Sequence, residues 1–380
     1  MLRSPFFWIA IALIAAGIAL TAMLGVLYWL VAGFVAAVLT FVVVFLSAAY
    51  AVGRAEPPQV PRLRKVPRSE CVSVIYDCDL AMGHPFRDVG AGLALLYLLG
   101  ETRVNLLCVT TTYGNGPTRM TTRTTRRLLD RLGYDDVATL PGAAGPDEEP
   151  ETNRAARHLK EIVSTQPGEI VLIATGSMTN LKHAAALDPD FFKKLRGLHL
   201  MGGMTQPLVW NERRVAELNF SLDPEAAYLA IHADCPVTIA TGQAGLTAIF
   251  RSPQFAALQA LRDPISRLIT RKTRFWFALM RLWFQDGGFA MWDSVAVLPL
   301  SHPELFEYER VHVTSTRDDL RTGRLVVDPD RRGPVRLVRS VRDFDGFILA
   351  HFAAWRHLWR RVSVRRNNPR GCPGRRKGSK

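Results

Sequence analysis

From Phe6 to Val52 the chain runs for 47 residues without one Asp, Glu, Lys, Arg, His or Pro. A single helix of that length would extend about 70 Å against a hydrocarbon core of about 30 Å. The run therefore predicts two transmembrane helices of about 20 residues each, paired as a hairpin with its turn near Gly25 to Leu27. Arg3 precedes the run and Arg54, Arg62, Arg64, Lys65 and Arg68 follow it, so the positive-inside tendency puts both flanks in the cytoplasm. The expected protein is multi-pass, with its soluble domain cytoplasmic. A cleaved leader competes with this reading, but its apolar region should span only about 7–15 residues before a small-residue cleavage site.

Beyond the apolar run the pattern changes twice. Residues 53–70, GRAEPPQVPRLRKVPRSE, hold four prolines among clustered bases and read as a linker. Short β-branched runs then alternate with helix-length segments. Val72–Tyr76, Val104–Thr112, Glu169–Thr175, Leu198–Met201 and Pro236–Ala240 read as strands. Thr118–Leu132, Ala155–Ser164, Asn180–Leu187 and Pro224–His232 read as helices. Such alternation predicts an α/β fold with a doubly wound, mostly parallel sheet of the Rossmann-like open type, whose ligands gather at the carboxyl ends of the strands. Residues 252–287 look helical, with their Phe and Trp read as core or membrane-facing surface rather than a base-binding wall, and residues 309–340 look like short strands. The expected organisation is a hairpin over 1–52, a linker over 53–70, one domain over 71–354 and a basic tail over 355–380.

Charge refines this picture without redirecting it. The net charge is +14, but ten of the positive charges fall between Arg356 and Lys380 with no acid among them. A basic tail on a membrane-tethered chain is expected either to meet anionic lipid head groups or to be a solvated disordered tail, rather than to bind nucleic acid. The cysteines, Cys71, Cys78, Cys108, Cys235 and Cys372, include no CxxC pair, which argues against a zinc site and against a disulfide framework.

The candidate chemistry sits at the strand ends. YDCDLAMGHPFRD brings Asp77, Asp79 and Asp88 around a turn just after the first strand. Carboxylates crowded at the end of a buried strand repel one another and lose hydration unless a cation or a set of donors compensates them. TTTYGN ends the second strand with Asn115, ATGSMTN carries Thr179, and MGGM spans 201–204. Asn211, Glu217 and Asn219 then supply amide and carboxylate groups suited to vicinal hydroxyls, and MWDSVAV offers Trp292 and Asp293 at a helix start.

In this order the motifs resemble the nucleoside hydrolases that prefer inosine and uridine. The resemblance runs from about Val72 to Phe352. It rests on the aspartate-rich strand end, Thr111-Thr112-Tyr113-Gly114-Asn115, Gly176-Ser177-Met178-Thr179-Asn180, the MGG turn, the string Asn211, Glu217, Asn219, Asp223–Ala227, and Asp293 with Ala296. It implies hydrolysis of the N-glycosidic bond of a ribonucleoside by a calcium-activated water. Asp79 would be general base and metal ligand, and Asp77 a supporting carboxylate. Asp88, the Thr179 carbonyl and Asp293 would complete the protein's share of the Ca2+ shell. Asn115, Asn211, Glu217, Asn219 and Trp292 would contact the substrate. A homo-oligomer is compatible with the resemblance.

Two departures stand out. The family carries two adjacent aspartates after the turn, whereas this chain has a longer turn, a lone Asp88 and then Gly90-Ala91. Aligned from the turn, Asp88 takes the metal position; aligned from the helix, Gly90-Ala91 stand there and a ligand is missing. Trp292 also replaces a histidine associated with the departing base. The alternative is a weakened or inactive member that binds a ribosyl ligand at the membrane.

Overall fold

A computed structural model describes residues 5–50 and 52–367, and its internal contacts divide the chain into two units, Met1–Ala51 and Val52–Lys380. The first unit corrects the expected hairpin. Pro5–Tyr50 is one continuous helix with no turn at Gly25 to Leu27. Glycine within a helix costs only about 1 kcal/mol, and Ala22 to Trp29 around the expected turn hold no proline and no Asn, Asp or Ser that would stabilise one. Within it Ala12–Ala49 is long and apolar enough to cross a membrane, the one such helix among the described residues. Its large side chains are exposed, Trp29 by 74% and Phe34 by 70%, which water alone would not favour.

The second unit is built on a nine-stranded sheet. Its strands are β1 (Val72–Cys78), β2 (Val104–Thr111), β3 (Ala138–Pro141), β4 (Ile170–Ala174), β5 (Gly197–Met201), β8 (Val237–Ala240), β11 (Phe306–Val313), β12 (Val327–Asp328) and β13 (Val335–Val341). Two antiparallel pairs lie outside it, β6 (Val209–Trp210) with β7 (Arg213–Arg214), and β9 (Ile249–Arg251) with β10 (Gly288–Ala290). The sheet order is β12-β11-β13-β8-β5-β4-β1-β2-β3. Every pairing from β13 to β3 is parallel, and β11 and β12 form an antiparallel edge. The mostly parallel α/β expectation is met.

The chain leaves β1 for β2 and β3 on one side and returns with β4 on the other. The strand order thus reverses at β1, and a crevice opens outside the carboxyl ends of β1 and β4. Alternation along β1 separates the two layers of core: Val74 and Tyr76 pack with the helices Gly90–Gly100 and Phe344–Asn367, whereas Ile75 packs with Arg154–Thr165, Thr179–Leu187 and Pro224–Ile231.

The end of the domain differs from expectation. The helix Phe344–Asn367 runs straight through the boundary placed at 354/355, and Trp355, Leu358 and Val362 are buried in the core. Arg356 and Arg360 face solvent while Arg361 and Arg365 are half-buried on main-chain carbonyls, so a charge count alone misreads the first half of this region as a tail. Arg370, Arg375, Arg376, Lys377 and Lys380 lie outside the described residues.

Candidate active site

A cavity of about 280 Å³ opens at the reversal point, and its walls include Asp79, Asp88, Asn115, Thr175, Glu217, Asn219, Trp276, Trp292 and Asp293. Asp79 follows β1 directly, and its Oδ2 accepts the main-chain N–H of Asn115 at 2.6 Å. Gly114 makes this possible: at φ +142 it takes a conformation few side chains adopt, and a Cβ there would strike the Asp79 carboxylate.

Asp77 is fully buried and lies beneath the cavity. Its Oδ2 accepts from the Thr110 hydroxyl at 2.5 Å and the Asn180 amide at 2.7 Å, while Oδ1 has no partner. Asn180 in turn accepts from the Ala143 N–H and the Asn153 amide, so the Thr-Asn turn after β4 is tied to the end of β1.

The structure separates the two alignments of the turn. Gly90 opens the helix Gly90–Gly100, and a Cβ on it would collide with Asp293 Oδ2 and come within 2.9 Å of Asp88 Oδ1. Asp88 and Asp293 thus face each other across a glycine, and Gly90 is the space that lets them approach. The Asp88 Oδ1 accepts the Gly90 N–H at 2.7 Å, whereas its Oδ2 is buried without a hydrogen bond. The Trp276 indole N–H reaches towards Asp88 without completing one.

These carboxylates are electrostatically strained. Burial, then repulsion from Asp88 and Asp77, lifts Asp79 to about 7. Burial also raises Asp77 and Asp88, and Asp293 is pushed up by burial and by Asp88 and Asp79. Among the described residues no three His, Cys, Asp or Glu side chains form a ready metal cage. The donors nevertheless suit a hard cation: carboxylate oxygens dominate, one buried oxygen of Asp88 is unspent, and a positive charge would relieve the repulsion that raises Asp79 and Asp293.

Several expected contacts fall differently. Asn115 lines the cavity, but its amide is spent on Asp88: Oδ1 accepts the Asp88 N–H at 3.0 Å and Nδ2 donates to the Asp88 carbonyl at 2.9 Å. Asn211 is exposed, at φ 44 with Glu212 at φ 65, forming the two-residue turn between β6 and β7, with its amide on the Phe284 carbonyl. Asparagine tolerates such a left-handed turn, which accounts for it structurally. Thr179 starts a helix, its hydroxyl donating to Asp223 Oδ2 at 2.8 Å, and is not part of the cavity wall. Thr175 is, with its carbonyl accepting from the Asn219 amide at 3.3 Å.

Glu217 and Asn219 do meet at the cavity. The Glu217 carboxylate accepts main-chain N–H groups of Gly203, Phe220 and Ser221, and burial raises its pKa. The Asn219 amide also donates to the Met201 carbonyl at 3.0 Å. Trp292 lines the wall at 6.4 Å edge-to-face from Trp210, which stacks on Phe284 at 4.2 Å. A second cavity of about 510 Å³ shares Phe86, Val215, Trp276 and Trp292 with the first, and its walls carry no ionisable group. Thr175, Phe86 and Trp276 are among the lining residues that sequence reasoning did not assign to the site. Thr175 stood inside the quoted ATGSMTN motif, while nothing in the spacing marked Phe86 or Trp276.

A mostly parallel sheet with acidic residues at its reversal point, next to an aromatic wall, makes a pocket suited to a small polar ligand. The family model for inosine-uridine preferring nucleoside hydrolases matches residues 74–348, and the chain belongs to that family. The chain is 24% identical over 283 residues to a pyrimidine-specific ribonucleoside hydrolase of Shewanella sp. strain MR-7, covering 67% of this chain and 86% of the relative. It is 24% identical over 311 residues to an inosine-uridine preferring nucleoside hydrolase of Leishmania major, covering 72% and 94%. Among solved structures it resembles a purine-preferring ribonucleoside hydrolase from Gardnerella vaginalis at 22% identity and a TM-score of 0.65, covering 76% and 99%. The enzyme is a nucleoside hydrolase.

Proposed function

We propose that the enzyme cleaves the C1′–N bond of ribonucleosides with Asp79 as general base and Ca2+ as cofactor, attached to a membrane by its apolar helix. The observation that carries the reading is the convergence of Asp79, Asp88 and Asp293 on one cavity with Glu217 and Asn219. Asp79, Asp88, Asp293 and the Thr175 carbonyl, which lines the cavity where Thr179 does not, would hold the ion. Ca2+ held there would supply a water of lowered pKa for the attack and suits hard oxygen donors such as these.

Asp79 accepts the proton of the attacking water at a carboxylate oxygen, oriented by the Asn115 N–H. Asn115 acts on Asp88 as a positioning residue, holding its backbone at both ends. Glu217 and Asn219 flank the sugar, and Trp276 and Trp292 face the base. Tryptophan cannot protonate a departing nitrogen, so the wall contributes stacking and exclusion of water, and the base leaves on its own acidity or with a proton from solvent.

The test is ribose release by the full chain in neutral detergent, from a panel of purine and pyrimidine nucleosides, after chelation and after calcium is restored. Activity should need calcium, and Asp79→Asn should lower turnover at least about a hundredfold. Calcium-independent turnover, or a mutant equal to the parent, overturns the mechanism. Ribose binding without hydrolysis of any nucleoside would instead support the ribosyl-binding alternative.

A further inference from the structure

At the amino-terminal edge of the sheet lies a third cavity, of about 590 Å³, that the proposed hydrolysis does not use. Cys71, just before β1, and Val104, at the start of β2, contribute to it, so β1 separates it from Asp79 by about 26 Å at a rise of about 3.3 Å per residue. Lys65 from the linker and His357, Arg361 and Arg365 from the last helix stand on its wall. The one carboxylate in the wall, Asp136, is already paired with Arg365 at 2.9 Å.

The arginines are held in place before any ligand arrives. Arg361 donates to the Leu99 carbonyl at 2.9 Å and Arg365 to the Gly133 carbonyl at 2.8 Å. Both guanidinium groups lie over the Tyr134 ring, at 6.0 and 4.0 Å from its centre. The Arg361 guanidinium has five N–H donors, and the Leu99 carbonyl takes one of them. Crowded positive charge shows in its effect on His357, whose pKa is lowered by burial and then by Arg361, Arg360 and Lys65. Leu98, Leu106 and Val137 add an apolar stretch to a wall that also holds Thr102 and Asn105.

We infer that this cavity binds the phosphate of an anionic phospholipid head group, with Lys65, His357 and Arg361 on the phosphate and Leu98, Leu106 and Val137 beside the glycerol. A fixed guanidinium fork matches phosphate geometry, and a phosphate would offset like charges that the fold holds together. The lipid source follows from a helix on the same chain that is long and apolar enough to cross a membrane.

The test is calorimetric titration of the full chain in neutral detergent with three probes: inorganic phosphate, dihexanoyl phosphatidic acid and dihexanoyl phosphatidylcholine. Phosphatidic acid should bind saturably and more tightly than inorganic phosphate, and phosphatidylcholine should not bind. Lys65→Glu and His357→Gln remove no hydrogen bond that anchors the fold, and each should weaken phosphatidic acid by at least about fivefold with unchanged thermal midpoint and ribose release. Equal binding of phosphate and phosphatidic acid overturns the lipid assignment. Absence of binding in the parent, or unchanged affinity in both variants, overturns the site.

Discussion

Gly90 decides how the longer turn after β1 is read. A glycine at the start of a helix looks in sequence like a lost ligand, whereas in space it is the gap between Asp88 and Asp293. The order of residues could place three aspartates at one rim, but could not say which of two registers brought Asp88 to the cavity, because that depends on a left-handed Phe86 at φ 57 inside the turn. Gly90→Ala should therefore be far from conservative. Its methyl would meet Asp293 Oδ2, overpacking that costs about 1–3 kcal/mol and displaces a carboxylate. We expect a lower thermal midpoint and at least a tenfold loss of ribose release; a variant as active as the parent would show that Asp88 and Asp293 need not stay close.

At the scale of elements, the strands and helices read from alternation end within one or two residues of those observed, since β-branched runs and amphipathic spacing are local signals. What was not local was misread. Asn211 belongs to a string shared with ribose-binding residues, yet the pairing of β6 with β7 turns it outward. The last helix was divided because its base-rich face hides Trp355, Leu358 and Val362. Ending the chain at residue 354 should therefore unfold the domain: burying each of those side chains contributes about 1.5–3 kcal/mol, comparable in sum to a domain's whole stability. Intact ribose release from such a truncation would refute this. The same helix carries His351, fully buried, with Nδ1 on the Phe347 carbonyl at 2.8 Å and Nε2 on the Ser294 hydroxyl at 2.9 Å. Burial lowers its pKa to about 3. Below the unfolded value near 6.5 the unfolded chain takes up a proton that the folded chain refuses, so stability is lost as pH falls from 6.5 towards 3. His351→Asn should be the less stable protein at pH 7, and the gap should narrow by about 2 kcal/mol at pH 5 in paired denaturant titrations. A constant gap would mean that His351 is protonated in the fold.

For the whole molecule the open matter is topology, since one helix stands where two were expected. Hydropathy measures length and composition, and it predicted a turn only because about 70 Å of helix exceeds one bilayer. The continuous Pro5–Tyr50 helix changes the inference about sidedness without reversing it for the enzyme body. With a single crossing the two flanks lie on opposite sides, and the five bases from Arg54 to Arg68 favour the cytoplasmic side for the flank that carries them. The enzyme body is then expected in the cytoplasm, where the anionic leaflet would also meet the bases of the last helix. A cysteine introduced at Ala55 in the full chain, probed in intact cells with an impermeant maleimide against the parent as background, should react only after the membrane is permeabilised. Labelling of intact cells would place the active site outside. A shortened product lacking the first 50 or so residues would show that the helix is a removed leader.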